Sequence, residues 1–331
     1  MTSQPILRVE HLKAHFRSSY FGVYREVPAV DDISFDVAPN EIFGLAGESS
    51  SGKTTLMKTI AGLIAPPLEL IDGKAQFSFM PPATNLHAAD PAQLARIRWS
   101  RLSYIMQGSM NVLNPLRQIR SIFRDFAAVH LGGSTAYFEI QTAHHLSRLR
   151  LDPSVLDAYP HELSGGMRQR VTIALATICR PDFIIADEPT TALDVIVQKE
   201  VLGMIRSIQR EMGSSVLFVT HDMGVHAALT DKLGIMYAGC LVEVGRTADI
   251  FNAPQHPYTR HLIHSLPRIG DTVQRTGLTG SPPNLANPPS GCRFHPRCSL
   301  ASEICRTERP MMRQHGTEHR VACHAVEGGD A

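Results

Sequence analysis

The chain has 331 residues, enough for one large domain with an appendage or for two modest domains. Hydrophobic residues make up 43% and charged residues 19%, which excludes disorder as the main state. Lys and Arg total 32 against 31 Asp and Glu, a formal charge of +1, so the composition gives no reason to expect a nucleic-acid partner.

The opening MTSQPILRVEHL has no basic stretch followed by a long apolar segment, so no secretory signal is expected. The longest uncharged apolar run, Leu233–Val242, has ten residues, where a membrane span needs about 20. A cytosolic chain that does not cross a bilayer is therefore expected. From Ile6 to about Ala248, short β-branched runs alternate with helical stretches, as in an α/β domain with a largely parallel sheet. No internal repeat interrupts this pattern.

The first informative element is an apolar strand predicted over Glu41–Ala46. It leads into Gly47-Glu48-Ser49-Ser50-Ser51-Gly52-Lys53-Thr54, which fits G-x-x-x-x-G-K-[ST], and then into a helical run over Thr55–Ile64. Such a loop turns successive backbone N–H groups toward an anion. Gly47, Ser49, Ser51, Gly52 and Thr55 are its candidate nucleotide contacts, with Lys53 meeting the β- and γ-phosphates and the Thr54 hydroxyl ligating Mg²⁺.

A strand-like Leu102–Met106 ends at Gln107. Further on, Leu163-Ser164-Gly165-Gly166-Met167-Arg168-Gln169-Arg170 opens a helical run over Val171–Cys179. A Ser and a Gly pair at a helix N-terminus present a hydroxyl, free N–H groups and a positive dipole end, a second anion site; an ordinary Ser N-cap is the alternative.

Asp182–Ala186 reads as an apolar strand that ends in two acids, Asp187 and Glu188. Asp187 can hold Mg²⁺ through water, and Glu188 can polarise an attacking water as general base; a helix-capping pair is the alternative. The strand Val216–Thr220 then ends at His221.

After Phe251 the runs NAPQHPY, SLPRIGD and SPPNLANPPSG discourage regular elements, predicting a linker and a small terminal module. Four of the six cysteines lie there, Cys292, Cys298, Cys305 and Cys323. A segment this rich in Pro needs a cross-link to close a core, and four thiolates suit an iron–sulfur cluster or tetrahedral zinc; the lack of a C-x-x-C spacing weakens the zinc reading. Cys179 and Cys240 lie in apolar runs and read as small core residues.

LSGGMRQR, in this order and spacing with the phosphate loop and the twin acids, resembles the ATP-binding subunits of ABC transporters. The resemblance implies a P-loop NTPase fold with a RecA-like core over residues 1–250, carrying a helical subdomain at about 108–180 and an antiparallel β subdomain. It implies that Tyr24 stacks on adenine, with Phe16, Tyr20 and Phe21 competing for that role. Gln107 then reaches Mg²⁺ and the attacking water, Ala192-Leu193-Asp194 crosses a dimer interface, and His221 contacts the γ-phosphate. Ser164, Gly165 and Gly166 serve the ATP held by a partner subunit, and Glu188, His221, Gln107 and Lys53 form the catalytic set. Ser50 and Gly108 depart from the family pattern, which usually has Gly and Asp there.

His256-Pro257-Tyr258-Thr259-Arg260, with the cysteines, resembles the C-terminal extension of the oligopeptide and dipeptide importer branch, here over 251–331. That branch implies ATP and Mg²⁺ as cofactors and a [4Fe–4S] cluster on Cys292, Cys298, Cys305 and Cys323. Its partners are a second ATPase subunit, identical or paralogous, two transmembrane permeases and an extracytoplasmic solute-binding protein, with the ATPases peripheral at the cytoplasmic face of the membrane. Import of nickel, glutathione or oligosaccharide, a soluble ABC ATPase acting on nucleic acid or ribosomes, and a non-hydrolysing regulatory subunit are the alternatives.

Overall fold

The computed structural model describes residues 4–81, 84–108, 112–130, 135–191, 193–266 and 278–326. In chain order the elements are β1 (Leu7–Tyr20), β2 (Val23–Val37), β3 (Ile42–Ala46), α1 (Lys53–Ile60), β4 (Leu68–Phe77), α2 (Pro91–Ile97), β5 (Leu102–Ile105), α3 (Ile119–His130), α4 (Thr135–Arg148), α5 (Gly165–Thr177), β6 (Phe183–Asp187), α6 (Val195–Met212), β7 (Ser215–Val219), α7 (Met223–Leu229), β8 (Lys232–Tyr237), β9 (Cys240–Arg246), α8 (Thr247–Asn252), α9 (Pro257–His264), α10 (Glu303–Thr307), β10 (Arg313–Gln314) and β11 (Arg320–Val321). They fall into two compact units, one of residues 7–37, 41–87 and 219–331, the other of residues 1–6, 38–40 and 88–218.

In the first unit, β1 and β2 form a long antiparallel hairpin from Leu7↔Val37 to Tyr20↔Val23, and β4 pairs antiparallel with β1 on its other side. The turn residues Phe21 and Gly22 both have positive φ, 46° and 76°, which matches the twist of the flanking strands. Leu7, Val9, Leu12, Ile33, Phe35 and Val37 are buried at the base of the hairpin, while Tyr20, Phe21 and Val23 at its tip are exposed. The antiparallel sheet agrees with the family resemblance; the alternation of apolar runs had suggested parallel strands here too. Antiparallel pairing needs only the short turn that Gly22 permits, with no crossover helix.

The second sheet of this unit runs in the order β3-β8-β9-β11-β10. β3 is parallel to β8, and β8, β9, β11 and β10 are antiparallel neighbours. Every residue of β3 is buried, which is why it reads as an unbroken apolar run. Helix α1 starts at Lys53, two residues before the predicted start, because Gly52 at φ 100° already supplies its N-cap; it ends at Ile60 just ahead of Gly62 at φ 66°.

The C-terminal residues, predicted to be irregular, contribute α9, α10, the edge strand β10 and its neighbour β11. Proline starts a helix here: Pro257 occupies the first turn of α9, where a missing N–H costs nothing, and His256 Nδ1 caps it by accepting from the Tyr258 N–H at 3.1 Å. Tyr237 of β8, Tyr258 of α9 and Phe294 form an aromatic cluster with ring centroids 4.7, 5.1 and 5.4 Å apart. Glu243 of β9 is fully buried and accepts from the backbone N–H groups of Gln255 at 2.7 Å and His256 at 2.9 Å, and pairs with His319 Nε2 at 2.7 Å. Burial opposes its charge, but these partners outweigh burial and hold its carboxyl below the usual range.

In the second unit, β5 and β6 are parallel from Leu102↔Phe183 to Ile105↔Ala186, and β7 lies next to β6. Helix α6 is amphipathic, burying Val201, Ile205 and Ile208, and it is closed at both ends. Asp194 accepts from the N–H groups of Ile196 and Val197 at its start, and Gly213 in the left-handed region ends it. Among the described residues, no helix is long and apolar enough to cross a membrane.

Candidate nucleotide-binding site

The predicted site residues divide between the two units. The first holds the phosphate loop, the hairpin aromatics and His221. Gly47 has φ 150°, and a Cβ there would come 2.1 Å from the Met236 carbonyl oxygen; at Gly52, φ is 100° and a Cβ would lie 2.0 Å from the Ala29 oxygen. Both positions therefore demand glycine. Ser50 adopts φ 63°, the strained value at which a side chain costs about 1 kcal/mol.

Lys53 is buried, and its ammonium bridges the loop, donating to the carbonyls of Gly47 at 2.9 Å and Glu48 at 2.8 Å and to Ser51 Oγ at 3.3 Å. Ser49 and Ser50 are exposed, Ser51 and Thr55 buried, and Thr54 half-buried in the first turn of α1. Tyr24 is 60% exposed near the hairpin tip, beside the still more exposed Tyr20 and Phe21, while Phe16 is half-buried. His221 is exposed ahead of α7.

Two residues in this unit were not foreseen as contacts of the phosphate loop. Arg297 forms a two-armed ion pair with Glu48 inside the phosphate loop, at 2.8 and 3.0 Å, and Tyr258 Oη accepts the Glu48 N–H at 2.8 Å. A carboxylate within an anion-binding loop was the signal that called for a cation elsewhere in the chain.

The second unit holds the acids and the LSGG segment. Asp187 ends β6 fully buried and accepts from Tyr104 Oη at 3.1 Å. Glu188 follows at φ 47°, half-buried, and its Oε2 accepts from Gln107 Nε2 at 3.2 Å and from Thr191 Oγ1 at 2.8 Å. Gln107 and Glu188, 81 residues apart, are thus brought together. Tyr104 and Thr191 were not foreseen, since a Tyr inside a strand and a Thr in a loop carry no distinguishing pattern.

Ser164 caps α5 and is exposed, its Oγ accepting from the Met167 N–H at 3.3 Å. Gly165 and Gly166 open the helix, and a Cβ on Gly166 would come 2.8 Å from the Val197 side chain of α6, so packing favours glycine at position 166. Asp194 is exposed as the N-cap of α6, and Ala192 of the same loop lies outside the described residues, as do 267–277 of the predicted linker.

Asp187, Gln107 and Thr54 supply hard oxygen donors of the kind Mg²⁺ prefers. All six cysteines are free thiols. Cys292 is pushed up to about 11, first by burial and then by Cys305, Cys323 and Cys298; Cys298 and Cys323 are raised by burial and by neighbouring thiols of the same set. The Cys292 N–H donates to the Cys305 carbonyl at 2.8 Å, drawing the two segments together. Among the described residues, no group of three or more His, Cys, Asp or Glu is arranged to hold a metal ion. Cys240 is buried as expected, whereas Cys179 is half-buried.

The ABC transporter family model matches residues 30–191, and the model for the oligopeptide/dipeptide transporter C-terminal region matches residues 242–305. The dipeptide transport ATP-binding protein DppD of Caldanaerobacter subterraneus is 38% identical over 330 residues, covering 98% of each chain. The protein of the same name from Bacillus subtilis is 37% identical over 340 residues, 99% of each. Among solved structures, the ATP-binding cassette MJ0796 in a dimeric post-hydrolysis state with ADP and Pi superposes with a TM-score of 0.63 at 22% identity, over 73% of this chain and 98% of that one, a likeness of fold. A phosphate loop closed on Lys53, a strand ending in Asp187 and Glu188, a Ser164-capped helix and full-length identity to these relatives lead to one conclusion: the chain belongs to the ABC transporter ATP-binding subunits, in the branch that carries the oligopeptide/dipeptide transporter C-terminal region.

Proposed function

We propose that this chain is the ATP-hydrolysing subunit of a membrane importer of di- and oligopeptides. Glu188 carries the reading: a carboxylate one residue beyond the buried Asp187, steadied by Gln107 and Thr191, is equipped to take a proton from an attacking water. Lys53 and the loop Gly47–Thr55, including Ser49, Ser51 and Gly52, hold the phosphates; Tyr24 stacks on adenine and His221 meets the γ-phosphate. Thr54 and Asp187, with Gln107, hold Mg²⁺, which when bound neutralises phosphate charge.

Two such subunits work head to tail, identical or paralogous. Ser164, Gly165 and Gly166 of one meet the triphosphate held by the other, and the loop at Asp194 lines the contact. ATP favours the closed pair and hydrolysis releases it. With the ATPases peripheral at the cytoplasmic face of the membrane, two permeases turn that motion into alternating access and receive peptide from an extracytoplasmic solute-binding protein. The names of the full-length relatives support the peptide cargo.

Cys292, Cys298, Cys305 and Cys323 would ligate a [4Fe–4S] cluster, with zinc as the alternative; burial and neighbouring thiols make Cys292, Cys298 and Cys323 resist ionisation, and these soft donors are what a metal relieves. Iron and acid-labile sulfide in anaerobically purified protein, both lost in Cys298→Ser, test that assignment; protein free of both metals removes it.

The decisive experiment on hydrolysis is Glu188→Gln. Turnover should fall by roughly 10²–10⁴ while ATP binding persists, and an ATP-bound dimer should accumulate on size-exclusion chromatography. Turnover at the wild-type rate removes Glu188 from the base role. ATP-dependent uptake of labelled dipeptide into vesicles containing the neighbouring permeases tests the cargo, and uptake that ignores dipeptide overturns it.

A further inference from the structure

Glu48 is the second residue of the phosphate loop, so a carboxylate sits in the segment whose N–H groups must draw in an anion. The C-terminal segment answers that charge. Arg297 Nη1 donates to Glu48 Oε2 at 2.8 Å and Nη2 donates to Oε1 at 3.0 Å. The Arg297 side chain is only 6% exposed, against 24% for Glu48, so the pair is screened weakly by solvent.

Other contacts lock the guanidinium in place. Nη1 donates to Tyr237 Oη at 3.2 Å, Nε donates to the Thr279 carbonyl at 3.0 Å, and the group lies 5.9 Å from the centre of the Tyr237 ring. Burial works against the charge on Arg297, yet its bonds to Glu48 and Tyr237 keep it protonated. Tyr258 meanwhile takes the Glu48 N–H, so side chain and backbone of this one loop residue are both held by residues beyond 250.

We propose that Arg297 is a positioning residue for ATP: it neutralises Glu48, so that the loop offers its N–H groups and Lys53 to a triphosphate without a competing carboxylate. The proposal rests on reading Gly47–Thr54 as the ATP phosphate site. Lys53 Nζ already lies 2.8 Å from the Glu48 carbonyl. A Glu48 side chain released from Arg297 would compete with ATP for that ammonium and add like charge beside the phosphates. Arg297 directly precedes Cys298, whose N–H closes the turn on the His295 carbonyl at 3.2 Å. The cysteine segment and the ATP loop therefore share an anchor, and the extension takes part in nucleotide binding.

The test is calorimetric titration of the full chain with ATPγS and Mg²⁺. Arg297→Gln, which keeps polar contacts and drops the charge, should weaken binding about tenfold, while Arg297→Lys should stay within about threefold of wild type. In a Glu48→Gln chain, adding Arg297→Gln should change the dissociation constant by less than about twofold, because no charge is left to mask. Wild-type affinity in Arg297→Gln overturns the proposal. An equal loss in both backgrounds also overturns it, since that is the mark of a packing role. If Arg297→Gln alone does not fold, the neutral pair Glu48→Gln/Arg297→Gln still decides: affinity about tenfold below Glu48→Gln overturns the masking role. Lys53→Ala is the control for the underlying reading. Should it bind as tightly as wild type, the phosphate site itself is misassigned, whatever Arg297 does.

Discussion

Tyr104 donates its hydroxyl hydrogen to Asp187 Oδ2 across 3.1 Å, setting a phenol from β5 against the last residue of the parallel strand β6. Asp187 is 1% exposed, so its charge needs donors aimed at it. Burial first, and Asp187 second, raise the Tyr104 hydroxyl far above its ordinary range, which keeps it a donor at any working pH. Tyr104→Phe keeps the ring and removes the donor. The Mg²⁺ concentration that half-saturates ATP binding should rise about three- to tenfold, the share expected of one hydrogen bond to a charged group. An unchanged Mg²⁺ dependence would leave Tyr104 a packing residue only.

Glu188 sits at φ 47°, an unfavourable conformation for a side chain of its size, and is kept there beside donors from Gln107 and Thr191. Thr191→Val removes one donor and preserves shape. Because Thr191 donates to Glu188, the proposed base, kcat should drop about three- to tenfold with KM for ATP within about twofold of wild type. A rise in KM at constant kcat would place Thr191 in nucleotide binding instead.

Gly52 and Gly108 both have positive φ, 100° and 66°, yet their surroundings differ. A Cβ at Gly52 would stand 2.0 Å from a backbone oxygen, whereas at Gly108 nothing lies within 4 Å. Gly52→Ala should cost more than about 2 kcal/mol and abolish ATP binding, and Gly108→Ala only about 1 kcal/mol from its φ. Urea unfolding of the two variants measures the contrast; equal costs would show that the clash at Gly52 is relieved by a loop movement.

Local chemistry made the proposed nucleotide residues readable. Gly47 and Gly52 appear in the sequence because no other residue fits, and Asp187 and Glu188 stand out because an apolar strand has no use for acids. Family spacing singled out Gln107 and Glu188 separately, and their contact across 81 residues is seen only in the structure. What stayed hidden depends on long-range pairing. Nothing near Arg297 signals that it closes on Glu48, 249 residues away, and the proline-rich tail concealed α9 because Pro257 marks a helix start as readily as a break. The strands β10 and β11 are two residues long and have no periodicity to detect.

Buried histidines contribute to the acid response. Burial pushes His145, His226 and His256 down to about 4 from an ordinary 6.5. The folded chain thus binds fewer protons at these sites than the unfolded chain between those values, so stability rises with pH across the window, is fully present above 6.5 and is lost as pH falls toward 4. Each site should cost on the order of 2 kcal/mol by the acid end. At His256 the loss has an identified structural target, because its Nδ1 accepts the Tyr258 N–H that starts α9 and protonation removes that acceptor. Asn caps helices equally well and does not titrate. His256→Asn should therefore match wild type at pH 7 within about 1 kcal/mol and lose on the order of 2 kcal/mol less on acidification. Urea midpoints at pH 7, 5.5 and 4 decide: curves for the two proteins that stay parallel throughout would show that His256 does not carry the acid sensitivity of α9.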